Sequence, residues 1–295
     1  MSSAAHGTTP YYYVPHESRH PVMAAIGLFF LILGAGQWIN GAEWGMYCLF
    51  FGMAWWLIVL YQWFSEAIQE SEGGMYGRKI DLSFRWSMTW FIFSEVMFFA
   101  AFFGALFYSR VLSVEWLSGA GAKAATHEFL WPNFLADWPL LTLPSDYGYT
   151  VAKDIIPAWG LPALNTAILL TSGATVTWAH WGLKVNKRAH LIVGLALTVA
   201  LGSLFVYLQA IEYHHAYSEL GLTLNSGIYG ATFFLLTGFH GFHVTLGTIM
   251  LAVILFRSMR GHFTEEHHFA FEAVAWYWHF VDVVWIGLFI FVYWL

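Results

Sequence analysis

Five ionisable side chains stand inside apolar stretches of this sequence, and their types and spacing suggest particular chemistry. His240 and His243 are three residues apart, as are His279 and Asp282, so each pair can share one face of a helix. Glu95 lies in the apolar string FIFSEVMFFAAFF. If these groups converged, their imidazole and carboxylate atoms could bind a transition metal. The alternative is that they hydrogen-bond neighbouring helices.

Glu95 lies about ten residues into its apolar segment, which is roughly 15 Å along a helix. Apolar surroundings disfavour the charged form of a carboxyl group, so we expect a neutral acid that holds its proton. Two interpretations stay open on the residues alone. The acid exchanges protons or lies next to lipid, or it only hydrogen-bonds a neighbouring helix.

Polar groups also accompany two of the later apolar segments. Gln209 and Glu212 precede His214 and His215, and this set is either a metal site or a polar cluster at the membrane interface. The string LNTAILLTSGATVTWAHW, which ends near His180, is rich in Ser, Thr and Gly. Such residues let membrane helices approach closely and hydrogen-bond to one another. We therefore expect this segment to pack against other helices.

The composition indicates a polytopic membrane protein. Of the 295 residues, 59% are hydrophobic and only 10% are charged, whereas soluble domains are about 25% charged. The single cysteine, Cys48, excludes an intrachain disulfide and any metal site that needs two thiolates from this chain. With a formal net charge of −6, the chain offers no basic surface for nucleic acid.

Seven apolar segments are long enough, on a criterion of about 20 residues, to cross a bilayer as helices. They are approximately residues 22–39, 45–64, 84–112, 158–181, 190–211, 227–256 and 270–294. The first two are joined by only a few residues, so they form a helical hairpin. The sequence therefore predicts an all-α polytopic membrane protein with seven transmembrane helices.

The basic residues predict an orientation, because loops on the inner side of a membrane are enriched in Lys and Arg. With the N-terminus inside, three of the 12 basic residues lie outside: Arg110, Lys123 and Lys153. The other nine lie inside: Arg19, Arg78, Lys79, Arg85, Lys184, Lys187, Arg188, Arg257 and Arg260. Seven spans then place the C-terminus outside, and an even number of spans would spoil this split.

The segments divide the chain into four parts. Residues 1–21 are polar, are broken by prolines and do not resemble a secretory signal; they form either a membrane-surface segment or a disordered tail. Residues 22–64 form the two-helix hairpin and residues 65–83 an inner loop. Residues 84–295 form a five-helix bundle with a long outer loop at 113–157. That loop lies along the membrane interface or another subunit, or else is exposed to solvent.

Several strings in this sequence closely resemble the cytochrome c oxidase subunit III family. HHFAFEA and WYWHFVDVVW match the last helix of the family, and SGIYGATFFLLTGFHGFHV matches another helix almost letter for letter. The pair Ser94-Glu95 before an aromatic cluster matches a third. The resemblance covers essentially all the spans and is best at 84–107 and 164–295. It departs from the family in the inner loop after the second span and in the outer loop.

The resemblance implies an accessory subunit without a redox centre of its own. In the family, electrons from cytochrome c reach dioxygen through haem and copper in partner subunits, so we expect no cofactor in this chain other than structural phospholipids. The chain would contact oxidase subunit I directly, in a complex that also contains subunit II. It would support proton uptake and the stability of the catalytic subunit. A V-shaped lipid cleft would lie between the two-helix and five-helix bundles.

The resemblance also assigns a lipid site and a sensitive acid. Arg257, Thr264 and His267 match positions that hold a phospholipid headgroup, and Glu70 matches a glutamate that takes part. Glu95 matches an acid that reacts with a hydrophobic carbodiimide in relatives. We therefore expect Glu95 to be the functionally sensitive acid of the chain.

The intramembrane histidines receive a structural role from the same resemblance. In the family, the histidines that match His240 and His243 bind no metal. We expect them to form, with His279 and Asp282, a polar network between helices, and we expect no metal site in this chain.

The remaining expectations concern location and two alternative functions. The longer outer loop points to a bacterial form, in the inner (plasma) membrane. One alternative is a membrane metalloenzyme with histidine boxes, but the pairs at 214–215 and 267–268 fall on opposite sides of the membrane under the deduced topology. The other alternative is a proton channel built around Glu95 and Asp282.

Overall fold

The computed structural model describes residues 13–14, 17–145 and 148–295, and most of them are helical. The helices are α1 (His20–Ile39), α2 (Glu43–Glu72), α3 (Arg78–Phe107), α4 (Val114–Leu117), α5 (Ala124–Leu130), α6 (Leu161–Lys184), α7 (Arg188–Ser218), α8 (Gly227–Arg260) and α9 (Phe269–Leu288). A wider π-helical turn, Tyr108–Ser113, joins α3 to α4, and a second one, Phe289–Trp294, extends α9.

Six helices among the described residues are long and apolar enough to cross a membrane. They are α1, α2, α3 with its extension to Leu117, α7, α8, and α9 with its extension to Trp294. The fourth predicted span forms α6, which has 24 residues. At 1.5 Å per residue it is about 36 Å long, enough for a crossing. Its many hydroxyl groups, however, keep it outside the six, so seven spans stay a prediction.

The helix boundaries correct one predicted connection. The inner loop expected at 65–83 is largely helical, because α2 continues to Glu72 and α3 already begins at Arg78. The string FSEAIQESE contains good helix formers, which continue the helix although they are polar. Of the predicted N-terminal segment, residues 1–12 and 15–16 lie outside the described residues, and α1 begins at His20.

The described residues up to Trp86 form one compact unit, which contains the α1–α2 hairpin. Glycines bring the two helix backbones into contact there. A Cβ atom on Gly34 would lie 2.2 Å from the backbone nitrogen of Leu49, and one on Gly52 would lie 2.3 Å from that of Leu31. No side chain fits at these crossings, which is the small-residue packing typical of membrane helices.

Residues Ser87–Leu295 form the second compact unit, in which α9 is the most buried of the candidate spans. Trp278 of α9 is fully buried. Cβ atoms added to Gly202 of α7 and Gly247 of α8 would each lie 2.8 Å from its indole ring. The absence of side chains at these two glycines therefore creates the space that holds the indole.

The outer loop, 113–157, packs onto its own unit. Phe134, Leu140 and Ile156 are all buried. The backbone nitrogen of Lys153 donates to the carbonyl of Leu220, which anchors the loop to the connection between α7 and α8. Much of this loop is therefore part of the fold, so of the two predicted alternatives a wholly solvent-exposed loop is wrong.

Candidate functional site

Glu95 of α3 and His243 of α8 form an acid–imidazole pair. The Oε2 atom of Glu95 lies 3.0 Å from Nε2 of His243. The two side chains are 21% and 11% exposed, respectively. Glu95 and His243 are 148 positions apart in the sequence, so their contact joins α3 to α8.

The second ring nitrogen of His243 determines how this pair holds its protons. Nδ1 lies 2.6 Å from the backbone carbonyl oxygen of Phe239. A carbonyl oxygen only accepts hydrogen bonds, so Nδ1 must carry a hydrogen atom. One further proton then lies between Nε2 and Glu95, either on the carboxyl group or on the ring. The two forms differ by one proton transfer across a single hydrogen bond.

Aromatic rings enclose the acid–imidazole pair. The His243 ring lies 5.1 Å from the ring of Phe99 and 6.1 Å from that of Phe98, measured between centroids. The ring of Tyr277 stacks on it at 6.2 Å, and the Tyr277 hydroxyl donates to the His243 carbonyl at 3.3 Å. These contacts fix the imidazole and keep its neighbourhood apolar.

His240 contacts a different neighbour from His243. Its ring is fully buried and packs against the Trp285 ring, with 5.0 Å between the ring centroids and a tilt of 31° between the planes. Nε2 lies 3.2 Å from the carbonyl oxygen of Val281 in α9 and donates to it. The two histidines of α8 are therefore directed at α9 and α3, respectively, and they do not form one ligand set with Glu95.

His279 and Asp282 lie at the contact between α9 and α6. Nε2 of His279 lies 3.2 Å from Oγ1 of Thr177, and its Nδ1 lies 3.5 Å from Oδ2 of Asp282. The carboxylate of Asp282 rests against Gly173, where an added Cβ would lie 2.4 Å from Oδ2. Asp282 is thus accommodated by a gap in α6, and His279 hydrogen-bonds across the same contact.

Two tryptophans of α9 extend this contact with α6. Nε1 of Trp278 donates to Oγ of Ser172, and Nε1 of Trp285 donates to Oγ1 of Thr166, both at 2.9 Å. The hydroxyl-rich α6 therefore directs several polar atoms at α9 rather than at lipid. Its polarity is explained by this pairing.

The three residues expected to hold a lipid headgroup lie around the connection from α8 to α9. The Arg257 side chain is buried in the last turn of α8, and its guanidinium lies 4.6 Å above the ring of Phe263. Thr264 and His267 are exposed and form one tight turn, in which the His267 amide donates to Thr264 Oγ1 at 3.1 Å.

Glu70 belongs to the first unit, at the end of α2, and two tyrosines contact it. The hydroxyl of Tyr13 donates to Oε1 at 2.9 Å, and that of Tyr76 donates to Oε2 at 2.5 Å. Burial and the hydrogen bond to Glu70 raise the pKa of Tyr76. The hydrogen bond to Glu70 is the main cause of the raised pKa of Tyr13. The carboxylate thus fixes residue 13, before α1, and the α2–α3 connection.

Glu212 is another buried acid, and its partners differ from those suggested by the sequence. Its Oε1 accepts hydrogen bonds from the Tyr293 hydroxyl at 2.6 Å and from Nε2 of Gln209 at 3.0 Å. The adjacent His215 pairs instead with Glu219. The set around 209–215 is thus divided between a buried cluster and a surface pair.

The sequence pattern alone did not indicate one group of possible metal ligands. Among the described residues, only His180, His268 and Glu272 bring three potential ligand atoms within 4.8 Å of one another. The spacing of His268 and Glu272, four residues apart, was a visible signal that they share a helix face. His180 lies on another helix, so only the fold adds it to the group.

Comparison with known proteins places these features in context. The family model described as cytochrome c oxidase subunit III matches residues 10–124 and 134–295. Residues 1–9 are unmatched, and so are residues 125–133, which fall within the outer loop. Cytochrome c oxidase subunit 3 of Formosania lacustris is 40% identical over 295 residues, covering 100% of this chain and 99% of the relative.

Two further relatives with the same name have similar identities. Cytochrome c oxidase subunit 3 of Sus scrofa is 38% identical over 284 residues, with 96% of each chain covered. That of Drosophila melanogaster is 38% identical over 292 residues, covering 99% of this chain and 98% of the relative. The similarity thus extends over essentially the whole length of this chain and of each of the three relatives.

Proposed function

Because the chain belongs to the cytochrome c oxidase subunit III family, we propose that it is a non-redox accessory subunit of a proton-pumping cytochrome c oxidase. The match of the family model over nearly the whole chain is the observation that supports this most. Electrons from cytochrome c would reach dioxygen through haem and copper in partner subunits. This chain would bind subunit I directly, in a complex with subunit II, and would stabilise it.

Purification through an affinity tag on this chain tests the proposal. The expected result is that larger chains co-purify, bringing the optical spectrum of haem and a copper content that disappear when those chains are stripped off. Iron that stays with the stripped chain would instead support the histidine-box metalloenzyme. No metal and no partner, together with proton conductance in liposomes, would support the channel.

The membrane topology that fits this function has seven spans, with α6 as the fourth. The hydrogen bonds of α6 to α9 support this, since they turn its polar atoms away from lipid. We propose an inner N-terminus, an outer C-terminus and a lipid cleft between the first two spans and the other five. Cys48 is the only cysteine, so single cysteines in a C48S background can be mapped by membrane-impermeant reagents. Labelling of both α6 ends from one side would contradict seven spans.

The bacterial inner membrane remains part of the proposal. It rests on the length of the outer loop alone, and the relatives quoted above come from animals. A multi-pass membrane location fits either origin, because six helices among the described residues are long and apolar enough to cross a membrane.

Structural lipid binding is proposed at Arg257, Thr264 and His267, and Glu70 at the end of α2 is proposed as a further lipid contact. A guanidinium and an exposed turn rich in donors suit a phosphate headgroup. Changing Arg257 and His267 to Ala together should lower co-purified anionic lipid and shorten the active life of the oxidase, with little change in metal content. Arg260, whose guanidinium stacks on Phe256, provides the control R260A. Equal lipid loss in both variants would refute the assignment.

Proton exchange is the role proposed for Glu95, and the geometry supports a sharp test. In E95Q the amide can still donate to His243, so a purely structural hydrogen bond survives. The amide cannot release a proton to the ring. We expect E95Q to assemble normally but to slow turnover-coupled proton uptake. Normal proton uptake by E95Q would limit Glu95 to a packing role.

A further inference from the structure

We propose that His180, His268 and Glu272 form a binding site for a divalent transition-metal ion of the zinc type. The site lies where the end of α6 meets the start of α9. It does not include the Glu95–His243 pair, and it adjoins the proposed lipid turn, because His268 follows His267 and bonds the backbone carbonyl of Thr264. It departs from the expectation, based on the sequence, that this chain has no metal site. It adds a ligand that an accessory role does not require, and it stands independently of that role.

The separations of the ligand atoms suit one small cation. Oε1 of Glu272 lies 3.5 Å from Nε2 of His180 and 3.3 Å from Nε2 of His268. Zinc binds imidazole nitrogen and carboxylate oxygen at about 2.0–2.2 Å, so neighbouring ligands of a tetrahedral ion lie ~3.3 Å apart. The third pair of atoms lies within 4.8 Å. An ion bound by all three residues would have to bring these two nitrogen atoms closer together.

Hydrogen bonding favours the ligating form of His268. Its Nδ1 lies 3.0 Å from the backbone carbonyl of Thr264 and must donate to it. A neutral ring then has its lone pair on Nε2, directed towards Glu272. Metal-bound histidines commonly have this second hydrogen bond to a carbonyl, which fixes the ring and its tautomer.

The burial of these three side chains and the contacts of their polar atoms also indicate a bound ligand. The side chains of His268 and Glu272 are only 9% and 10% exposed. The Nε2 atoms of His180 and His268 are buried, and both face Oε1 of Glu272. The His180 side chain is 22% exposed, so water can reach that side as a fourth ligand. Two histidines and a carboxylate with one open position form a known zinc donor set.

The site would act as a clamp between two helices. It continues, at one end, the contacts that Trp285 and Trp278 make with α6. A bound ion stabilises the folded state by mass action, because the three ligands converge only when α6 and α9 are paired. Lys184 follows His180 by one helical turn, and its positive charge opposes the cation.

The test uses the full chain in its purified complex, stripped of loosely held metal by a chelator and dialysed against buffered zinc. Zinc is counted by mass spectrometry in the wild type and in the variants H180A, H268A and E272Q. We expect each variant to bind about one zinc ion fewer, with an affinity loss of at least about 100-fold, since even second-layer changes cost 10–100-fold. H214A, which removes an exposed histidine of α7, is the matched control and should bind as the wild type does.

A further variant separates ligand loss from misfolding. K184Q should tighten zinc binding by a few-fold, about what removal of one screened charge contributes, whereas misfolding would weaken it. X-ray absorption at the zinc edge should show two imidazole nitrogens and a carboxylate oxygen in the wild type. Equal zinc content and affinity in the wild type, H180A and H268A would overturn the proposal and leave an ion-paired cluster of imidazoles and a carboxylate.

Discussion

The α1–α2 hairpin and the α6–α9 contact solve the same problem, the pairing of two long helices, with different chemistry. In the hairpin, glycines bring backbone against backbone, as at Gly34 and Leu49. Between α6 and α9, side chains meet instead, and Trp278, Trp285 and His279 hydrogen-bond to hydroxyl groups of α6. Close backbone packing and interhelical hydrogen bonds are the two main attractions available between helices in lipid.

The difference between these two kinds of contact shows where the chain can bind an ion or transfer a proton. A glycine contact has no titratable atom, so it can hold helices together but cannot bind an ion or move a proton. The second unit brings acids and imidazoles of different helices together, and both the Glu95–His243 pair and the group around Glu272 lie there. The described part of the first unit also has one acid–imidazole pair, between His20 of α1 and Glu66 of α2, but this pair and the Glu70 cluster lie towards the helix ends and not at the glycine crossings.

The largest expected effect is on the glycine crossing of the hairpin. G34L would push a side chain into the backbone of residues 48 and 49. We expect a loss of at least about 3 kcal/mol, the upper range for overpacking, because a backbone cannot move aside as a side chain can. Thermal unfolding of the purified protein in detergent would measure it.

The matched control for that variant is G36L. A Cβ atom on Gly36 would meet no heavy atom within 4 Å, although it lies in the same helix. G36L should therefore unfold at the wild-type temperature. Equal destabilisation by the two substitutions would mean that the crossing at Gly34 is not a specific contact.

A smaller loss is expected where a glycine faces an indole. In G247A the new methyl group would lie 2.8 Å from the Trp278 ring, and we expect a loss of about 1–3 kcal/mol. G241A, at which a Cβ atom meets nothing within 4 Å, is the control and should be neutral or slightly stabilising. Chemical denaturation of the two variants would compare them. If G241A lost as much as G247A, the tight seat of Trp278 would not explain the loss.

A single interhelical hydrogen bond should contribute less than either glycine. S172A removes the acceptor of the Trp278 indole, and interhelical hydrogen bonds in membranes are worth about 0.6 kcal/mol on average. S203A is the control, because Ser203 is exposed and its hydroxyl bonds the Val199 carbonyl of its own helix. If the unfolding free energies of S172A and S203A differed by less than about 0.2 kcal/mol, side-chain packing and not this hydrogen bond would stabilise the α6–α9 contact.

The smallest effect concerns pH and the Glu70 cluster. The pKa of Tyr76 is raised by burial and by its hydrogen bond to Glu70. Its contribution to stability is therefore present below the unfolded pKa of about 10 and is lost as the pH rises through the higher folded pKa. Partial exposure keeps the effect small. Y76F should reduce the loss of stability in alkaline thermal scans, and an unchanged alkaline profile would show that this cluster does not matter there.

The sequence predicted the apolar helices well, because their length and composition follow directly from the bilayer. It also indicated that α6 packs against other helices, since its hydroxyl groups would be unfavourable in lipid. The helical ends were harder: polar but helix-forming residues extend α2 to Glu72 and remove most of the expected loop. Hydrophobicity marks where a helix enters the membrane, whereas propensity and packing decide where it ends.

Partners on different helices could not be predicted from spacing. His240 and His243 are three apart, which suggested a common direction, yet their rings contact α9 and α3. Side chains three residues apart on a helix differ in direction by about 60°, which is enough for them to contact different neighbouring helices. The pairing of His243 with Glu95, and of His180 with Glu272, depends on tertiary packing that periodicity does not encode.

The most direct test of the account is to remove this chain from the purified oxidase and add it back. We predict that haem and copper per catalytic subunit stay unchanged, while sustained turnover and proton uptake fall and recover with the wild-type chain, but only partly with E95Q. Loss of redox metal together with this chain, or unchanged proton uptake and active life without it, would contradict the proposed role of a non-redox supporting subunit.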